Sequence, residues 1–135
     1  MEIFSAYHTT GGAMLFAGGL ALLQLLVADV AGMKVPHIPG APIEPNHKSF
    51  LFRASRSLGN MNESISIFIL FCISGIVLMA DPVWLGRFAL GYVGARALYM
   101  LCYWFNIKLA RSAFFGISLV ALILMGATVV LGLKH

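Results

Sequence analysis

Residues 50–80 read FLFRASRSLGNMNESISIFILFCISGIVLMA, a stretch that opens with two arginines, carries an amide and a carboxylate in its first half, and then turns wholly apolar. Read as a single helix rising 1.5 Å per residue it would be about 46 Å long, against a hydrocarbon thickness near 30 Å. A run of that length belongs in a lipid bilayer, with its polar first half at or beyond one membrane surface.

The neighbouring stretches have the same character. Thr10 to Val30 is apolar, with Gln24 inside it and no charge until Asp29. It lacks the basic start and small-residue cleavage site of a signal peptide, so it is expected to be a membrane helix. Its many glycines and alanines, among them Gly11, Gly12, Ala13, Ala17, Gly18, Gly19 and Ala21, are expected to let a neighbouring helix approach closely. Between the two runs the composition flips: four of the five prolines fall at Pro36, Pro39, Pro42 and Pro45, a period of three that suits an extended connector. Asp81 and Pro82 read as the cap and first turn of a third helix. Trp84 and Trp104 bracket it about 30 Å apart, as interfacial aromatic belts require. A short polar turn, Asn106 to Ala110, leads to a last apolar run. The expected architecture is therefore all-α: one transmembrane domain, residues 1–135, with four helices over about 8–33, 50–80, 82–105 and 111–133.

Composition agrees. The 135 residues are 60% hydrophobic and 10% charged, with a mean hydropathy of +0.91, whereas soluble domains carry about one charged residue in four. No room remains for a soluble catalytic domain. Cys72 and Cys102 lie inside apolar runs outside any CxxC spacing, so neither a disulfide framework nor a metal site is expected. His8, His37, His47 and His135 sit at termini or in the proline connector and are not expected to bind metal. A net charge of +4 is too small and dispersed for a nucleic-acid protein. Its placement is informative: Lys34, Lys48, Arg53, Arg56, Lys108 and Arg111 cluster at two loops, against Arg87 and Lys134 at the other side. The positive-inside rule makes those two loops cytoplasmic.

Charged groups inside a membrane helix cost several kcal/mol and usually mark function. Arg53, Arg56, Asn60 and Glu63 follow one another at spacings of three, four and three, which places them on one face of the second helix. Arg96, Tyr99 and Tyr103 form a corresponding face on the third. Measured from the shared turn at Asp81, Glu63 and Tyr99 lie about 26 Å away and Asn60 and Tyr103 about 30 Å, so the two faces meet in layers. With Arg111 closing the region, the set suits a small anionic or zwitterionic ligand, because arginines pair with carboxylates and a carboxylate pairs with an ammonium. The plain alternative is an intramembrane Glu63–Arg96 ion pair that only locks the helices, with Arg53 and Arg56 as interfacial anchors.

These residues carry a resemblance. Arg56-Ser-Leu-Gly-Asn60-Met-Asn-Glu63 has the R-x-x-x-N-x-x-E order of the second helix in the MAPEG family (membrane-associated proteins in eicosanoid and glutathione metabolism), and Arg96-Ala-Leu-Tyr99-Met-Leu-Cys-Tyr103 followed by Arg111-Ser112 resembles its R-x-x-Y-x-x-x-Y and R-S arrangement. The likeness covers nearly the whole chain and is to bacterial-type members similar to microsomal glutathione transferases. It implies a homotrimer of four-helix bundles in a bacterial inner membrane, binding glutathione as cosubstrate in a cleft between subunits that opens to the cytoplasm. It further implies that Arg53, Arg56, Asn60, Glu63, Arg96, Tyr99 and Tyr103 line that cleft. Lys34 would add a basic group from the end of helix one. Arg111 would favour the thiolate with help from Ser112, which reads equally well as a helix N-cap. The implied partner is a lipophilic electrophile or lipid hydroperoxide. Some members bind without catalysis, so a lipid-binding or scaffold role is the alternative reading. The chain departs from the family pattern at Ser57, Gly59, Ser64 and Ser66, where members have alanine, histidine, tyrosine and proline.

Overall fold

The computed structural model describes residues 2–36, 38 and 40–134. Pro39, His37 and His135, read above as a connector proline and two non-ligating histidines, lie outside the described residues. Among those described the structure is all helical: α1 (Glu2–Ala6), α2 (His8–Lys34), α3 (Phe50–Val77), α4 (Pro82–Trp104) and α5 (Lys108–Gly132). Helices α2, α3 and α5 are long and apolar enough to cross a membrane, so the chain is an integral membrane protein.

Helix α4 differs from these three. It carries two arginines and three tyrosines and packs against α2, α3 and α5. Arg96, Tyr92, Tyr99 and Tyr103 are all buried. Apart from the exposed Arg87, its charged and phenolic side chains are covered by the other helices, which is why its sequence is the least like a lipid-facing span.

Helix ends are set by backbone geometry that the apolar pattern does not reveal. The apolar run continues to Ala80, but α3 stops at Val77 because Met79 adopts a left-handed conformation (φ 51°). The N–H of Ala80 then bonds the Gly75 carbonyl and that of Met79 the Ile76 carbonyl, a Schellman closure. The hydroxyl of Tyr7 donates to the Ala80 carbonyl at 2.5 Å, tying the start of α2 to this turn. Helix α4 ends in the same way with Asn106 at φ 58°, Ile107 N–H on the Cys102 carbonyl and Asn106 N–H on the Tyr103 carbonyl. This tight closure lets α5 begin at Lys108, earlier than the polar turn suggests. Ser112 therefore sits inside the helix and is not its N-cap, a position that Ile107 holds. At the start of α4 the expectation holds: the Asp81 carboxylate accepts from the N–H groups of Val83 and Trp84, and Pro82 opens the first turn.

Within the subunit it is the alanines of α2, and not its glycines, that meet neighbouring helices. A methyl added at Gly11, Gly12, Gly18 or Gly19 would meet nothing within 4 Å, whereas Ala13, Ala17, Ala28 and Ala31 are buried. Close approach occurs instead at Gly75, Gly86, Gly126 and Gly132; at Gly86 an added methyl would lie 3.0 Å from the Thr9 side chain of α2.

Two buried polar pairs set the rotation of α3. The Ser57 hydroxyl donates to Gln24 Oε1 on α2 at 2.7 Å. The Ser64 hydroxyl shares a 2.7 Å hydrogen bond with Tyr92 on α4, whose ring stacks on Phe68 at 4.6 Å. Both serines are departures from the family pattern, and each has a partner here. Ser57→Ala is expected to strand the Gln24 carbonyl oxygen and cost about 1 kcal/mol, the typical net contribution of a protein hydrogen bond. The double change Ser57→Ala with Gln24→Leu should melt closer to the native protein than Ser57→Ala does, measured at one scan rate in one detergent.

Candidate functional site

The site is built where α3 and α4 run antiparallel and α5 begins. Three contacts define the register: Ser64 with Tyr92, Asn60 with Arg96, and Arg53 with the Trp104 carbonyl. Spacings of three and four put Arg96, Tyr99 and Tyr103 on one side of α4, and the closure at Asn106 swings the first turns of α5 against them. The result is an open cleft of about 230 Å³ lined by Asn60, Tyr99, Tyr103, Arg111, Ser112 and Phe115.

The guanidinium of Arg111 lies 4.5 Å from the centre of the Tyr103 ring. That of Arg96 lies 4.5 Å from the Tyr99 ring. The two tyrosine rings are 5.4 Å apart, so each phenol face is covered by a cation, an arrangement worth up to about 2 kcal/mol per pair when desolvated. Buried Nη1 of Arg111 has no hydrogen-bond partner. A cation lining a cleft that also offers hydroxyls and an amide is suited to an anionic acceptor.

The seven residues expected on the paired faces do not all converge. Asn60, Tyr99 and Tyr103 line the cleft. Arg96 stands behind it, 2% exposed, donating from Nη2 to Asn60 Oδ1 at 2.6 Å. Its bonded partner is therefore the amide rather than the Glu63 carboxylate of the ion-pair alternative. Arg53 turns inward: Nη1 donates to the His47 carbonyl at 2.7 Å, and Nε and Nη2 donate to the Trp104 carbonyl at 3.3 and 3.2 Å. Arg56 and Glu63 are exposed, near enough to Tyr99 and Arg96 respectively to interact electrostatically. Lys34 lies on the opposite flank, in a cavity of about 790 Å³ formed with Asp29, Ser55, Leu58 and the start of the proline connector.

Sequence reasoning did not find Phe115 or His47. Phe115 forms a wall of the cleft and sits one helical turn after Arg111, a spacing that could have identified it. The His47 ring lies 6.3 Å from that of Tyr103, in a connector whose path no periodicity predicts.

Compared with known families, residues 10–131 match the model of the MAPEG family. No curated protein matches the chain.

Proposed function

The chain belongs to the MAPEG family, and on that footing we propose that it is a glutathione-dependent membrane transferase or peroxidase. The observation that carries this reading is the Arg111 side chain lining a cleft whose other polar lining groups are Asn60, Tyr99, Tyr103 and Ser112. A free thiol has a pKa near 8.5, and an adjacent cation lowers such a value by about one to three units. Arg111 at the positive end of α5 would hold the sulfur as thiolate, its proton passing to water. The thiolate then displaces a leaving group from a lipophilic electrophile, forming a C–S bond. With a hydroperoxide it attacks the terminal oxygen, the O–O bond breaks and the alkoxide is protonated to an alcohol. A second thiol then converts the sulfenic acid to a disulfide and water.

The cleft is smaller than the roughly 300 Å³ at which ligand sites usually begin, and we propose that a second copy completes it. Positions along α3 repeat at alternating steps of three and four, Arg56, Gly59, Glu63, Ser66, Leu70, Ile73 and Val77, all of them exposed except the half-buried Gly59. That seven-residue period is the seam of packed helices, and Arg56, Glu63 and Ser66 are poorly suited to lipid. In the resulting homotrimer of four-span subunits, Lys34 of a neighbouring copy would reach the ligand from its own cavity. The two basic loops face the cytoplasm, in a bacterial inner membrane.

A non-catalytic binding protein is the second reading. It is favoured by the absence of any carboxylate, histidine or thiol among the residues lining the cleft, which leaves Arg111 alone to ionise the sulfur. Calorimetric titration of the detergent-purified protein with glutathione, with thiolate absorbance followed in the ultraviolet, separates the readings. Binding with a thiolate signal supports the enzyme, and binding without one supports the binding protein. No heat of binding at all would defeat the enzyme reading and leave the lipid-binding or scaffold role. A monomeric mass in mild detergent would defeat the trimer.

A further inference from the structure

Arg96 is the largest fully buried side chain of the protein, and its surroundings are unusual for a charge inside a membrane protein. It has one hydrogen bond, to Asn60 Oδ1, and one ring face, that of Tyr99. Its Nε has no partner.

The chemistry of that single bond is directional. A guanidinium has only donors, so the atom it meets on Asn60 has to be the carbonyl oxygen, whichever way an isolated amide would turn. The other end of the amide, Nδ2 with its two N–H groups, is thereby directed away from Arg96. It bonds no protein group among the described residues, and Asn60 lines the cleft. Without Arg96, an amide rotation would cost little and would present an acceptor to the same space.

We propose that Arg96 is a positioning residue: it touches no ligand, and it locks the Asn60 amide so that every polar side chain of the cleft can donate. Asn60 Nδ2, the Tyr99 and Tyr103 hydroxyls, Arg111 and Ser112 then form a wall able to donate at every polar position, which selects a carboxylate or thiolate over a neutral carbonyl-poor or cationic ligand. The inference rests on the glutathione reading above. It assigns to Arg96 a role different from the direct ligand contact that the family resemblance implies.

Asn60→Asp provides the test. An aspartate in that place accepts from Arg96 and completes a buried ion pair, but offers the cleft no N–H and adds a negative charge. The full chain in detergent should melt at or above the native temperature while its affinity for glutathione falls at least tenfold. Arg96→Lys, which can only donate, should keep affinity within about threefold. Arg96→Met, which releases the amide, should lose about tenfold. Native affinity in Asn60→Asp or in Arg96→Met would overturn the proposal. A fall in melting temperature parallel to the loss of affinity in Asn60→Asp would also overturn it, in favour of a purely structural pair. A native protein that binds no glutathione defeats the proposed function itself and this inference with it, whereas native binding with an unaffected Asn60→Asp defeats the inference alone.

Discussion

Arg111→Ala is expected to lose about 100-fold of conjugating or peroxidase turnover while binding glutathione within a few-fold of the native protein. Removing one preorganised charge-stabilising donor from an enzyme site typically costs 10² to 10³ in turnover. Arg111 combines such a donor with a full charge: its Nη1 is buried without a partner and its guanidinium is held at 4.5 Å on Tyr103. Two pKa units of thiol ionisation correspond to about 2.7 kcal/mol, enough to account for most of that factor. Because the interaction is stronger with a thiolate than with a thiol, its loss belongs in turnover and in the thiolate absorbance rather than in affinity. Arg111→Lys should recover part of the activity, since the charge returns without the planar fork. Full activity in Arg111→Ala would transfer the role to Tyr103 or Tyr99.

Arg56→Ala and Glu63→Gln should each weaken glutathione binding by about tenfold or more, with thermal stability little changed. On the glutathione reading each would remove one charge-assisted contact, worth roughly 1.5 to 3 kcal/mol. Both residues are exposed in the single chain, so neither holds the subunit's own core together. Arg53 makes the contrast. It lies only three residues before Arg56, but its donors are taken by the His47 and Trp104 carbonyls, which join the connector and the end of α4 to the start of α3. Arg53→Ala is expected to lower the melting temperature by several degrees, with affinity changed less than in Arg56→Ala. Affinity loss at Arg53 equal to that at Arg56, with no loss of stability, would move Arg53 into the ligand contacts. A drop in melting temperature at Glu63 with unaltered affinity would favour the ion-pair alternative.

Much of this was legible in the residues alone. Length and hydropathy place the chain in a bilayer, since no soluble fold can cover so much apolar surface. Asp81 and Pro82 announced the start of α4 because a carboxylate cap and a proline first turn are local chemistry. Spacings of three and four put Tyr99 and Tyr103 on one face, and the structure has both in the cleft. The ends of α3 and α4 were less legible: each depends on a residue adopting a left-handed conformation at Met79 or Asn106, and an apolar run carries no sign of where that happens.

Tertiary packing was needed to divide a helical face into its two edges. Arg53, Arg56, Asn60 and Glu63 share a face by spacing, yet Arg53 and Asn60 bond groups of α4 while Arg56 and Glu63 stay exposed. Periodicity states the angles between side chains along one helix and says nothing of how that helix is rotated against its neighbours. The rotation of α3 comes from Ser57 on Gln24, Ser64 on Tyr92 and Phe68 on the Tyr92 ring, contacts between residues far apart in the chain. For the same reason the choice between Asn60 and Glu63 as the partner of Arg96 depended on a register that intrachain spacing cannot specify, and the amide lies within reach of its guanidinium.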